Sequence, residues 1–195
     1  MKQTLITLVE DKPGVLNRIA TLFRRRNFNI VSVVSGSSET PGIARLTIVV
    51  DEIDRTKRGT IYFNLLNLVN VIAVKDVSEL PCITREFILL KIESNIEKFN
   101  EIENLVNSYG AKVVENNSES IIVEAADQEK ILDQLVKSLK PYNISEIMRT
   151  GKMSMRKGKT HNVTSDKNKI KSEEDKWQPE KINSYHNWGI INYER

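Results

Sequence analysis

Val9-Glu10-Asp11-Lys12-Pro13-Gly14-Val15-Leu16, with Ile19-Ala20 downstream and Phe28-Asn29-Ile30 beyond, decides the reading of this chain. An apolar strand from Leu5 to Val9 runs into a short polar turn, and the turn opens a helix whose first residues are Pro13 and Gly14. Proline suits a first helical position because its missing N–H would have no partner there. Glycine has no Cβ, so another molecule can approach the backbone closely. The N–H groups of Gly14, Val15 and Leu16 then stand free at a helix N-terminus, which favours a carboxylate or phosphate. Asp11 is placed to cap the helix or to receive an ammonium group. Together these residues can hold both ends of an amino acid, or simply start a well-capped helix. Spacing alone leaves both readings open.

Outward from this turn the chain repeats a pattern. Residues 3–9 read as a strand. Residues 13–26 read as a helix with Val15, Leu16, Ile19, Ala20 and Phe23 on one face and Arg24-Arg25-Arg26 at the end where positive charge suits the dipole. Strands follow at 29–35 and 43–50, a helix over 55–68 through Ile61, Leu65 and Leu68, and a strand at 71–77. The order β-α-β-β-α-β is the ferredoxin-like split βαβ unit. After Pro81 it recurs. A strand covers 85–93, and a helix covers 96–109 with Ile96, Phe99, Ile102, Leu105 and Val106 inward and Gly110 at its end. Strands at 111–114 and 120–125, a helix over 127–139 with Ile131, Leu135 and Val136 on one face, and a strand at 143–149 complete the second round. A period of roughly 80 residues marks a tandem. The expected fold is α+β: two ferredoxin-like βαββαβ domains, residues 1–79 and 80–158. Residues 159–195, rich in Lys, Asn, Ser and Glu without apolar periodicity, are expected to form a disordered tail. The second unit carries Asn95-Ile96-Glu97 where the first carries its Pro-Gly turn, so ligand features are confined to the first.

Composition narrows the function. Both histidines (His161, His186) and both tryptophans (Trp177, Trp188) lie beyond residue 158, and Cys82 is the single cysteine of the 195 residues. The body therefore lacks the usual equipment for general acid–base catalysis or metal binding, and no catalytic or metal-ligating residue is assigned. One cysteine excludes an internal disulfide framework and suits a reducing compartment. A net charge of +3 is too small to demand nucleic acid or an anionic membrane, and no apolar run approaches a membrane span. Met1-Lys2-Gln3 enters a strand at once, so no signal or transit peptide is expected. An RNA-binding sheet would need exposed aromatics for stacking, and 30–35 and 43–50 have none. Acylphosphatase-like hydrolysis on the same frame needs an Arg beside Gly and a water-positioning Asn, whereas this turn is acidic and carries Pro13.

The chain also resembles a known family, the small regulatory subunits of acetolactate synthase (acetohydroxyacid synthase), whose N-terminal half is an ACT domain. The resemblance rests on Asp11-Lys12-Pro13-Gly14-Val15-Leu16, Ile19-Ala20, Leu22-Phe23, Asn27-Phe28-Asn29-Ile30, Arg45-Leu46-Thr47-Ile48, Arg85-Glu86, Lys91-Ile92, Pro141-Tyr142-Asn143-Ile144 and Arg149-Thr150-Gly151. It implies a non-catalytic subunit that activates the catalytic subunit and confers valine feedback inhibition in valine and isoleucine biosynthesis. Thiamine diphosphate, Mg²⁺ and FAD would belong to the catalytic subunit, with no cofactor in this chain. Expected partners are a second copy in a homodimer, the catalytic subunit, and valine or another branched-chain amino acid. Nucleic acid and membrane are not expected. The effector residues carried over are Asp11, Gly14, Val15 and Leu16 at the helix start, with Asn29 and Ile30 from the facing strand. Two positions depart from the family: many relatives carry Asn at Asp11 and Ser at Ala44. The alternative is an ACT-type sensing module of another enzyme or regulator. The expected location is bacterial cytoplasm or, for a plastid-encoded chain, the stroma.

Overall fold

The computed structural model describes residues 2–93 and 98–158. Contacts divide the chain into two compact units, Met1–Ile83 joined by the chain from Met155, and Thr84–Ser154. The division expected at 79/80 thus falls at 83/84, and residues 155–158 group with the first unit instead of the second. The tail expected over 159–195 lies outside the described residues, as does the Asn95-Ile96-Glu97 segment. No described helix is long and apolar enough to cross a membrane.

In the first unit the elements are β1 (Gln3–Glu10), α1 (Val15–Arg25), β2 (Ile30–Ser37), β3 (Ile43–Val50), α2 (Arg55–Leu66) and β4 (Val71–Asp76). All strand pairs are antiparallel, in the order β2-β3-β1-β4. Alternation does the sorting. Leu5 and Val9 of β1, Leu46, Ile48 and Val50 of β3, and Val71 and Val74 of β4 form one core with Val15, Ile19 and Phe23 of α1 and Ile61 and Leu65 of α2. Helix spacing puts Val15, Ile19 and Phe23 on one stripe, and Phe23 meets Phe28 edge-on at 6.5 Å. Truncating a fully buried member such as Ile19 to alanine would cost about 2–5 kcal/mol. Asp54 caps α2, accepting from the N–H groups of Thr56 (2.8 Å) and Lys57 (3.2 Å), a contribution of about 1 kcal/mol. The α2 helix ends at Leu66, two residues short of the expected 68, and Leu68 packs on the core from beyond it.

The elements that follow are β5 (Cys82–Glu93), α3 (Phe99–Ser108), β6 (Lys112–Asn116), β7 (Ser120–Asp127), α4 (Glu129–Leu139), a 3-10 turn (Lys140–Tyr142), β8 (Ile144–Arg149) and β9 (Met153–Arg156), with β5 and β9 crossing the division between the units. The second sheet runs in the order β6-β7-β5-β8, the counterpart of the first, and β9 also pairs with β5. The core stripe of α4 is Leu132, Leu135 and Leu139. Ile131 and Val136, expected at its centre with Leu135, flank it instead, because at about 100° per residue each lies roughly 70° off the stripe. One buried carboxylate here is paired. Glu86, almost fully buried, takes Arg149 Nη2 at 2.9 Å, and Arg149 Nη1 reaches Asp133 at 2.7 Å. Burial pulls the Arg149 pKa down, but the Asp133 hydrogen bond and the charges of Glu86 and Asp133 more than reverse it. β9 was not foreseen in the sequence. Its four residues follow Gly151, whose φ of +84° turns the chain back.

Candidate functional site

The Pro-Gly turn makes a helix start of an unusual kind. Gly14 is the N-cap residue of α1, with φ +85° and ψ −6° in the left-handed region, where an L side chain is strained. No side chain caps the helix and no acidic residue occupies its first turn. Asp11 therefore does not cap, and the helix begins at Val15 with Pro13 ahead of the cap residue. Of the N–H groups expected to be free, that of Val15 reaches back weakly to the Lys12 carbonyl at 3.4 Å. Those of Gly14 and Leu16, joined by Asn17, meet no acceptor among the described residues. The positive end of the helix dipole is thus uncompensated.

The turn is held from outside. The Asp11 N–H donates to the Gly42 carbonyl (2.8 Å), the Lys12 N–H to the Glu10 carbonyl (2.9 Å), and the Glu10 N–H to the Asn70 carbonyl (2.9 Å). Asn70 Nδ2 donates to Glu10 Oε2 at 2.6 Å, and Lys12 Nζ lies 3.3 Å from the same oxygen. The Asp11 carboxylate, in contrast, is exposed and has no partner among the described residues.

Beneath the turn lies a concave cavity of ≈ 360 Å³, at the small end of the size range of metabolite pockets. Its rim is Glu10, Asp11, Lys12, Pro13 and Gly14. Its apolar wall is Val9, Val15 and Leu16 with Ala44 and Leu46 of β3, and Ser35 of β2 closes the far side. The register explains the grouping: Ala44 pairs with Val9, and Leu46 pairs with Ser35. Polar donors at one end and an aliphatic wall at the other suit a small molecule carrying a carboxylate and an apolar side chain. Of the six residues named from sequence, the chain brings Asp11, Gly14, Val15 and Leu16 together in this cavity. Asn29 and Ile30 stand apart. Ile30 opens β2 five residues from Ser35, roughly 17 Å along an extended strand, and Asn29 lies one residue further off. Ser35 and Leu46 were not singled out in the sequence, since only the β2–β3 register puts them under the turn.

β2 is an edge of its sheet. Its eight residues, Ile-Val-Ser-Val-Val-Ser-Gly-Ser, include no charge, and Val31 and Val33 are exposed. The other edges, β4, β6 and β8, all carry Lys, Arg, Asp or Glu, the usual guard against edge-to-edge pairing.

Two family models match. An "AHAS small subunit-like ACT domain" covers residues 5–73, and "Small subunit of acetolactate synthase" covers residues 85–158. The chain is 38% identical over 158 residues to a probable acetolactate synthase small subunit of Archaeoglobus fulgidus, spanning 81% of this chain and 98% of that one. It belongs to the acetolactate synthase small-subunit family. The small subunit of Bacillus subtilis is 32% identical over 167 residues, 86% of this chain and 97% of the relative. The crystal structure of the Thermotoga maritima small subunit superposes with a TM-score of 0.76 at 33% identity, over 82% of this chain and 99% of that one. The family's ACT domain coincides with the first unit, where the glycine turn and its cavity lie.

Proposed function

We propose that the chain is the non-catalytic regulatory subunit of acetolactate synthase, that it homodimerises through β2, and that it binds valine or a close aliphatic relative at the Gly14 turn. The observation that carries the site is the cavity lined by Gly14 and Leu16, whose N–H groups are open, with Val9, Ala44 and Leu46 as its aliphatic wall. The ligand's carboxylate takes the N–H groups, its ammonium group meets Asp11, and its side chain rests on the aliphatic wall. The dimer supplies the missing pair. If β2 pairs antiparallel with its copy, centred between Ser32 and Val33, Ile30 of the partner subunit lies opposite Ser35. Asn29 of the partner subunit then lies opposite Gly36, at the mouth of the cavity. Each site is thus built from two chains, and the uncharged edge of β2 supports that pairing.

In this reading thiamine diphosphate, Mg²⁺ and FAD are held by the catalytic subunit. This subunit raises the catalytic rate by binding the more active state better, and valine opposes that preference by about 1–3 kcal/mol. Calorimetric titration of the purified chain with valine, leucine and isoleucine tests the site. A steady-state assay of acetolactate formation by the cognate catalytic subunit, with and without this chain across a valine titration, tests the regulation. No heat with any of the three amino acids would overturn the site. An unchanged rate and unchanged valine response would overturn the regulatory role.

A further inference from the structure

Asn70, just before β4, joins three elements. Its carbonyl accepts from the Glu10 N–H (2.9 Å), its Nδ2 donates to Glu10 Oε2 (2.6 Å), and its Oδ1 accepts from Arg18 Nη1 of α1 (2.6 Å). The second unit repeats part of this clamp. The Asn143 carbonyl accepts from the Glu93 N–H (3.1 Å), and Asn143 Nδ2 donates to the Glu93 carboxylate. A clamp found in both units belongs to the shared frame. Two things are added in the first unit: the tie to α1 through Arg18, and a cavity that Glu10 helps to line. Glu10 thus lines the same cavity as Gly14 and Leu16, at a helix N-terminus with no acidic residue in its first turn. An anion within reach of such a terminus is drawn to it.

We propose that Asn70 is a positioning residue for the effector site, holding the Glu10 carboxylate, with Lys12, off the N–H groups of Gly14, Leu16 and Asn17 so that they stay open to a ligand carboxylate. The inference rests on the reading of the cavity as an amino-acid site. Released from Asn70, Glu10 would occupy or repel at the place the ligand's own carboxylate needs.

The test uses the full chain. Valine affinity is measured by calorimetry at low and high salt for Asn70→Ala, Asn143→Ala, Glu10→Gln and the double variant Glu10→Gln/Asn70→Ala, with melting temperature recorded for each. Asn70→Ala is expected to bind valine about tenfold more weakly, with the deficit shrinking at high salt as charge is screened. The double variant is expected to regain wild-type affinity although the hydrogen bond is still missing, because the intruding charge is gone. Asn143→Ala should lower the melting temperature and leave valine binding alone. Asn70→Ser, whose short hydroxyl cannot reach Glu10, replaces Asn70→Ala if that variant does not fold. Unchanged affinity in the Asn70 variant, or a double variant as weak as the single, would reduce Asn70 to frame and overturn the proposal. A second readout is independent of amino-acid binding: the amide resonances of Gly14 and Leu16 on titration with inorganic phosphate. A wild-type response that Asn70→Ala blunts and the double variant restores upholds the role of Asn70 even where valine itself fails to bind. Equal responses in all three overturn it.

Discussion

Replacing Gly14 with alanine separates the backbone from the ligand. At φ +85° a built Cβ would meet no atom within 4 Å, so the folded chain pays no steric contact, only left-handed strain of about 1–2 kcal/mol. Alanine also stiffens the unfolded chain, which returns about 0.4–1 kcal/mol. The net is a destabilisation of about 1 kcal/mol, or about 4–8 °C in the melting of a unit this size. The new methyl group also projects into open space beside the Gly14 N–H, where the proposed site would hold a ligand carboxylate, so valine affinity should fall about tenfold or more on that reading. Gly14→Asp sharpens the contrast. Its carboxylate can satisfy the open N–H groups, so stability should fall less than in the alanine variant, while valine binding should vanish. Differential scanning calorimetry with and without valine reads both quantities in one experiment. An aspartate variant that is stabilised by valine as the wild type is would refute the placement of the carboxylate. An alanine variant melting at the wild-type temperature would refute the strain argument.

Other outcomes follow from the same geometry. Val33→Lys puts a charge in the centre of the β2 edge, so the variant should sediment as a monomer and lose valine binding; a dimer with intact binding would exclude β2 as the interface. Arg149→Met leaves the buried Glu86 carboxylate facing only solvent-poor surroundings. It should cost about 2–3 kcal/mol in the second unit, less than a fully buried pair because Arg149 is 30% exposed, as denaturant titration would show. Burial and then the Arg156 guanidinium lower the Lys75 pKa from 10.5. Between that lowered value and 10.5 the unfolded chain binds the proton that the fold refuses, so stability rises with pH across this window. Below the window the penalty is constant. The Cys82 thiol, pushed up from 9.0 by burial, favours the fold less as pH rises, so the diagnostic is the difference between wild type and Lys75→Gln. That difference should grow smaller toward pH 10.5, and a flat difference would exclude Lys75 as its source.

The frame was legible because both units state it twice over. Short apolar, β-branched runs mark β1 and β3, alternation marks β5, and the Val15, Ile19, Phe23 spacing marks α1, so the β-α-β-β-α-β order needed no tertiary information. Where several apolar residues crowd one helix, period alone does not choose the buried stripe, and Leu132 and Leu139 of α4 were passed over for Ile131 and Val136. The turn was legible as a place for an anion, yet its cap was not. Asp11 has the right chemistry for an N-cap, but Gly14 in the left-handed region starts the helix first and leaves Asp11 outside. Ser35, Leu46 and Asn70 were invisible for a different reason. Each reaches the turn through strand pairing or from a loop some sixty residues away in sequence from Glu10, as the Asn70–Glu10 bond is, and one sequence carries no mark of such long-range meetings.

If the uncharged edge of β2 is the dimer seam, as proposed, it ties regulation to subunit dosage. Where each pocket is completed by a neighbouring chain, ligand binding and assembly are linked by mass action. Dilution then weakens apparent ligand affinity, and ligand in turn tightens assembly. At chain concentrations below the dimer's dissociation constant, halving the chain would cut the number of complete sites by more than half. A chain left without a mate would carry an unguarded strand prone to adhere to other exposed edges. On that reading, synthesis matched to assembly would protect both ligand sensitivity and the solubility of the unpaired chain.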